Sequence, residues 1–369
     1  MTDGPRRLRV LSIDGGGMRG VYTSAYLSAL AKQAAARRNV EELDVGKAFQ
    51  LIVGTSTGGI IACALAAGVP LGEVADLYRR NGKKIFPVKM PRGLNLDLCH
   101  QLFSRPKHLA RGTAALKHVL EEKLGDLTVR QVYDRRGIAL AIPTVEMSRH
   151  RSWVFKTPHL GGHRDDGFRL VDVCLATSAA PLYRSMARVE NPATPGHHHV
   201  FVDGGLWANN PVLVGMIDAL QMTGPGDRIE IFSLGTCPRP AGDIFGPEDM
   251  HRGLGQWKFG GEAAAVSLDA QEFAYDNMAG MLAKHVDRDC RVVRFPRGDL
   301  PAKAMPYLDL DETSEKGMQV LVEQAHEDVS LTLSACDRAA DIDGKLMAAL
   351  LNDLPPITKS GAGGWPRFC

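Results

Sequence analysis

Twice near its N-terminus the chain passes from a short apolar run through a glycine-rich turn into a helical pattern, first in "RVLSIDGGGMRGVY" (Arg9–Tyr22) and again in "FQLIVGTSTGGIIACAL" (Phe49–Leu65). A strand that feeds straight into a helix must come back to the sheet by a crossover, which makes the next strand parallel to the first. Two such units in succession therefore commit the chain to an α/β layered fold, with a largely parallel central sheet and flanking helices. The individual elements read as a strand at Leu8–Ile13, a helix at Arg19–Arg38, a strand at Phe49–Val53 and a buried helix starting near Thr57. Further strands are expected at Ile138–Val145, Trp153–Lys156, His199–Val202 and Arg228–Leu234, with helices at Phe168–Ser178 and Pro211–Met222. Beyond about Thr236 loops and long helices take over: Glu262–His285 and Glu312–Ala340 read as helical, with "CRVVRF" as a strand between them. The expected organisation is one domain over residues 1–369, with a core over about 8–235, a mainly helical region over about 236–355 and a frayed tail at 356–369.

Composition limits what such a fold does. Hydrophobic residues make up 44% of the chain and charged residues 23%, enough for a large core. A formal net charge of +2 gives no global reason to bind nucleic acid, so no DNA or RNA partner is expected. The seven cysteines contain no C-x-x-C pair, which favours reduced thiols over a disulfide framework or a zinc site. The longest apolar stretch, Ile60–Leu71, falls short of the roughly 18 residues a membrane span requires. The apolar run before Asp14 is also too short for a signal-peptide core. Together these features point to a cytoplasmic protein.

Gly15, Gly17 and Gly20 match G-x-G-x-x-G, the fingerprint of a dinucleotide site. That reading requires an acidic residue at the end of the second strand to hold a ribose. The second strand instead ends in "GTSTGG", where Gly54, Ser56 and Gly58 form G-x-S-x-G between strand and helix, the setting of a nucleophile elbow. The missing Gly-Lys-Ser/Thr ending argues against a P-loop. Beside a serine nucleophile, the glycine loop takes a different role: the amides of Gly15, Gly16 and Gly17 converge on an oxyanion, and Arg19 adds positive charge. A serine also needs a base. Among the twelve histidines, His251 and His285 are candidates but stand in no telling motif. In "HVFVDGGLWANNPV" a strand ends at Asp203, followed by Gly204 and Gly205, and a carboxylate so placed can take a proton directly from a serine on a neighbouring strand. Asp-Gly-Gly is also a common turn, and that reading stays open at this point.

Taken together, "DGGGMRG", "GTSTGG", "ATSAAPLY" and "DGG" occur in the order and spacing of the patatin-like phospholipases, and over Leu8–Leu234 the chain resembles that family. The resemblance implies a patatin-like layered fold and a lipid acyl hydrolase that uses a Ser-Asp dyad. Ser56 would be its nucleophile, Asp203 its base and the Gly15–Gly17 amides its oxyanion hole, with no metal and no cofactor required. "ATSAAP" is similar to the family's third motif with Thr177 where serine is usual, and we expect no catalytic role for it. The layout is similar to the cyclic-oligonucleotide-activated phospholipases of anti-phage CBASS systems, which implies a cyclic dinucleotide as activating ligand. A homo-oligomer would suit an effector switched by assembly. The alternative is a catalytically vestigial binding or storage protein on the same scaffold.

One segment suggests membrane access. Gly82–Arg111 interleaves Lys83, Lys84, Lys89 and Arg92 with apolar residues such as Phe86, against the single acid Asp97. It reads either as a lid that docks on an anionic bilayer at the inner face of the membrane, or as an ordinary loop with solvated lysines. Trp207 is read as packing or as part of an acyl pocket. His197–His199 alternate in direction along a strand and are not expected to bind metal. "LDLDET" (Leu308–Thr313) lacks the pattern of a calcium loop and reads as a solvated loop leading into a helix.

Overall fold

The computed structural model describes residues 5–90, 96–237, 245–253, 257, 261–296, 300–339 and 341–357. In chain order the elements are β1 (Arg7–Ile13), α1 (Gly20–Arg37), β2 (Leu51–Gly54), α2 (Thr57–Ala67), α3 (Leu71–Ile85), α4 (Leu96–Leu124), α5 (Val129–Arg136), β3 (Ala139–Glu146), β4 (Arg151–Lys156), α6 (Leu170–Thr177), β5 (Ala187–Glu190), β6 (His198–Asp203), α7 (Gly205–Ala208), α8 (Val212–Met222), β7 (Arg228–Leu234), α9 (Gly261–Leu282), β8 (Asp289–Phe295), α10 (Glu315–Arg338) and α11 (Ile342–Asp353).

The strands form one sheet in the order β5-β6-β3-β2-β1-β7-β8, with β4 paired to β3. β8, β7, β1, β2 and β3 run parallel, as the sequence predicts. β4, β5 and β6 pair antiparallel, so the sheet is mixed at that end. Period-two alternation buries both faces. Leu8 and Val10 of β1, with Leu51 and Val53 of β2, pack under α8 and α9, while Leu11, Ile13 and Ile52 pack under the layer that contains α1, α2 and α10. Each such side chain contributes roughly 1.5–3 kcal/mol on burial. α2 is apolar on all sides and buried along nearly its whole length, as a helix inside the core must be.

The arrangement around β3 brings the two motifs together. β4 covers one edge of β3 over Ala141–Glu146. β2 pairs with Ala139–Ala141 and β6 with Thr144–Glu146, so both must lie along the other edge. β2 is parallel to β3 and β6 antiparallel, so they run toward each other. Their C-terminal ends meet beside Ile142 and Pro143, with the residues after Gly54 facing Asp203.

The sequence reading of Gly82–Arg111 as lid or loop is replaced by structure of a different kind. Gly82 to Ile85 end α3, Leu96 onward begins the long helix α4, and Arg92 lies outside the described residues. Helices α3, α4, α5 and α11 and strand β5 were not expected.

Candidate active site

The turn after β2 holds Ser56 at φ 54° and ψ −122°, a left-handed conformation that costs a residue with a side chain about 1–3 kcal/mol. Such strain persists only where the surroundings enforce it. Here a Cβ added at Gly54 would lie 2.2 Å from the Gly58 carbonyl oxygen, and one at Gly58 would lie 2.3 Å from that of Ile13. The two glycines let the strand turn sharply enough to lift Ser56 out of the sheet and onto the N-terminus of α2, where the helix dipole favours negative charge on the serine oxygen. Ser56 N–H donates to Thr177 Oγ1 at 3.0 Å, and Thr177 in turn donates to the Pro143 carbonyl at 2.6 Å. Thr177 therefore braces the elbow, a part the sequence reading did not give it. A buried hydroxyl at the end of α6 was the only signal available.

Ser56 Oγ donates to Asp203 Oδ2 at 2.7 Å. The other carboxylate oxygen, Oδ1, accepts the Gly205 N–H at 2.7 Å, and Gly204 N–H donates to the Thr177 carbonyl at 3.2 Å. Asp203 is only 6% exposed. Burial pushes its carboxyl up to about 6, against the opposing pull of the Ser56 hydroxyl, the Gly205 amide and the Arg184 charge. A carboxylate with that affinity for protons is ionised at neutral pH and still basic enough to accept one. Among the described residues no histidine hydrogen-bonds the Ser56 hydroxyl, whose side-chain partner is Asp203.

The glycine loop lies across this pair, with modifications to what its sequence suggests. Gly15 N–H is not directed at the serine. It donates to the Asn209 carbonyl at 2.9 Å, because "NN" after the Asp-Gly-Gly turn runs alongside the loop. Gly16 and Gly17, which line the cavity around Ser56, have amides with no acceptor among the described residues. Gly17 sits at φ 55°, and a Cβ there would lie 2.4 Å from the Leu310 carbonyl oxygen. Arg19 is buried, and its guanidinium donates to the carbonyls of Gly16 and Cys237, each at 3.4 Å. It holds the loop from behind and adds no charge to the cavity lining. Thr236 Oγ1 donates to the Gly15 carbonyl at 2.9 Å from the opposite side. Beneath the loop, Asp14 is fully buried against Arg294, at 2.7 Å. The same guanidinium contacts Glu272 and, at 3.2 Å, Asp276 of α9. Burial raises the Asp14 carboxyl well above its ordinary range even so. This ion cluster joins β1, β8 and α9 under the site and could not be read from residues so far apart in sequence.

The cavity, of ≈ 170 Å³, is lined by Ser56, Asp203, Gly16 and Gly17 and by apolar side chains that include Ile60, Phe86, Leu206 and Leu268. Of the basic segment, Phe86 reaches it and the lysines do not. Lys83 pairs with Glu315 at 3.3 Å, and Lys89 pairs with Glu312 and, at 3.2 Å, with Asp309; Lys84 is exposed. "LDLDET" is thus the counter-charge to Lys89 and supplies Leu310 to the cavity wall. Trp207 does not line the cavity. Its Nε1 donates to the Thr144 carbonyl at 3.0 Å, which makes it packing. Cys63, Cys174, Cys237, Cys290 and Cys336 are buried free thiols. Among the described residues no group of His, Cys, Asp or Glu could hold a metal ion, and no helix is long and apolar enough to cross a membrane.

The chain is similar to several known proteins. The family model described as "Patatin-like phospholipase" matches residues 11–216. A protein of Pseudomonas aeruginosa named "cGAMP-activated phospholipase" is 33% identical over 73% of this chain and 73% of its own length. One of the same name from Vibrio cholerae is 34% identical over 58% of each chain. Human GIVD cytosolic phospholipase A2 aligns with a TM-score of 0.44 at 11% identity, covering 94% of this chain and 60% of that one. With the family model matched from β1 into α8, over more than half of the chain, this protein is a member of the patatin-like phospholipase family and a lipid hydrolase.

Proposed function

We propose that this lipid hydrolase cleaves carboxyl esters of membrane glycerophospholipids with a Ser56–Asp203 dyad. The observation that carries the reading is the 2.7 Å hydrogen bond from a strained, helix-capping serine to a buried carboxylate whose proton affinity is raised to about 6. Ser56 Oγ attacks the ester carbonyl while Asp203 takes its proton. The oxyanion is met by the Gly16 and Gly17 amides, in a cavity whose walls are largely apolar. Collapse of the tetrahedral species breaks the bond to the glycerol oxygen, which leaves with the proton from Asp203 and so forms a lysolipid. A water molecule then attacks the acyl-serine, with Asp203 again taking the proton, and the fatty acid departs as Ser56 recovers its hydrogen. No step calls on a metal or an organic cofactor.

The relatives named "cGAMP-activated phospholipase" support a second element, in which a cyclic dinucleotide switches the enzyme on as an anti-phage defence effector. A second cavity, of ≈ 630 Å³, lies between α1 and α3 away from Ser56. Its lining is rich in acids, among them Glu42, Asp44, Glu73 and Asp76, a poor fit for a ligand with two phosphates. Substrate access from the inner face of the membrane and assembly into a homo-oligomer belong to the same reading.

Fatty-acid release from mixed phospholipid vesicles tests both elements, with wild-type protein and Ser56→Ala each assayed with and without a panel of cyclic dinucleotides. Release by wild type alone, dependent on one nucleotide, is the expected result. Ligand-independent release keeps the hydrolase and removes the switch. No release under any condition leaves a binding or storage protein.

A further inference from the structure

Two polar atoms in the wall of the active-site cavity are buried without a hydrogen-bond partner: Arg184 Nη1 and Tyr78 Oη. Arg184 is 8% exposed and Tyr78 2%. A guanidinium in this position ordinarily pairs with a carboxylate, because an uncompensated buried cation costs several kcal/mol. The nearest candidate, Asp203, has one oxygen occupied by Ser56 and the other by Gly205. What Arg184 does have is the Phe86 ring, 4.9 Å from Cζ, a contact that compensates only part of the cost. Its placement is also forced. The turn that carries it, "APLYR", holds Leu182 at φ 72°, and Arg184 N–H closes back on the Ala180 carbonyl at 2.9 Å. A strained turn that delivers an unpaired cation into an apolar cavity indicates a ligand that completes it.

We propose that Arg184, with Tyr78 beside it, receives the phosphodiester of the phospholipid substrate. The inference rests on the acyl-hydrolase reading and specifies its substrate. The ester carbonyl and the fatty carboxylate product belong at Ser56 and the glycine loop, so an anion on Arg184 is a second group of the bound molecule. In a glycerophospholipid the phosphodiester sits on the same glycerol as the scissile ester, so one molecule engages both ends of the cavity. A neutral glyceride leaves Arg184 and Tyr78 unpaired, and a site with buried polar groups left unpaired discriminates against the ligand that fails to meet them. Phe86 covers the guanidinium in this state, and admitting a phosphodiester requires that ring to move aside.

The test is the ratio of kcat/KM for phosphatidylcholine to kcat/KM for diacylglycerol of the same acyl chains, in mixed micelles at pH 8.5, with the cyclic-dinucleotide panel present. At that pH Asp203 is ionised whether or not Arg184 is beside it. Arg184→Gln is expected to lower the ratio by roughly 10- to 100-fold, the range of a hydrogen bond to a charged group, while Arg184→Lys retains most of it. Tyr78→Phe lowers the ratio several-fold. A misfolded variant would lose both activities together and leave the ratio unchanged. An Arg184→Gln protein that keeps the wild-type circular dichroism and urea midpoint and still shows the wild-type ratio overturns the proposal and leaves the hydrolase reading intact. Wild-type protein that cleaves neither lipid overturns the hydrolase reading and this proposal with it.

Discussion

Replacing Asp203 with asparagine should abolish turnover and at the same time stabilise the fold. The carboxyl rises from an ordinary value of 3.8 to about 6 in the folded protein because burial disfavours its charge. At about 1.4 kcal/mol per pH unit, that difference is a penalty of about 3 kcal/mol on the folded state once the group is ionised. The sign follows from a raised folded value: the native protein holds its proton more tightly than the unfolded chain, so this position is best tolerated below pH 3.8 and loses stability as pH rises through about 6. Asparagine carries no charge and escapes the penalty. It keeps only one of the two oxygens that accept from Ser56 and Gly205, a loss of about 1 kcal/mol. The net expectation is a gain of about 2 kcal/mol at pH 8 that shrinks to about zero near pH 4.5. Urea denaturation of wild type and Asp203→Asn at both pH values measures it through the midpoint at constant m. A variant less stable than wild type at pH 8, or one whose gain is the same at both pH values, would refute the assignment of a buried, destabilising carboxylate.

Other perturbations act on the supports of the site. Ser56→Gly relieves the left-handed strain at φ 54° and should raise stability by about 1 kcal/mol while eliminating hydrolysis, as read by denaturation and by fatty-acid release. Thr177→Val removes both the acceptor for Ser56 N–H and the donor to Pro143, and should cost about 1–3 kcal/mol and slow turnover. Thr177→Ser should restore both, whereas equal behaviour of the two variants would deny Thr177 its bracing role. Arg294→Met leaves Asp14 and Glu272 without their cation and should destabilise by about 3 kcal/mol at pH 8. The cost should be smaller at pH 5, where the Asp14 carboxyl, pushed upward by burial, can protonate instead.

The parts of this structure that were legible in the sequence are those that local chemistry dictates. The strands β1, β2, β3 and β7 were found within a residue or two because buried parallel strands are short apolar runs bounded by glycine. Ser56 and Asp203 stood in motifs whose glycines have no other purpose than the turn they permit. What sequence reasoning missed depends on distant contacts. Nothing near Gly15 indicates that its amide is taken by Asn209, nor that Arg19 turns behind the loop to hold Gly16 and Cys237. The antiparallel β5 hides because it is only four residues long, and its charged Arg188 and Glu190 alternate with the buried Ala187 and Val189, which leaves too short an apolar signal. The basic segment misled because charge on a stretch of chain says nothing about its partner. Lys83 and Lys89 are paired by acids more than two hundred residues away. Arg184 follows directly after "ATSAAPLY" with nothing in the sequence to mark it, and only its burial without a partner draws notice to it.

The central claim, that Asp203 alone activates Ser56, is tested most directly by the rate at which a fluorophosphonate acylation mimic modifies the protein as a function of pH, with the labelled peptide identified by mass. The account predicts label on Ser56 alone, a rate that rises with pH through a midpoint near 6 as Asp203 ionises, and no labelling of Asp203→Asn at any pH. A rate that does not follow that ionisation, or labelling of Ser56 that survives the loss of Asp203, would mean that another group activates the serine and that the dyad is not the catalytic unit.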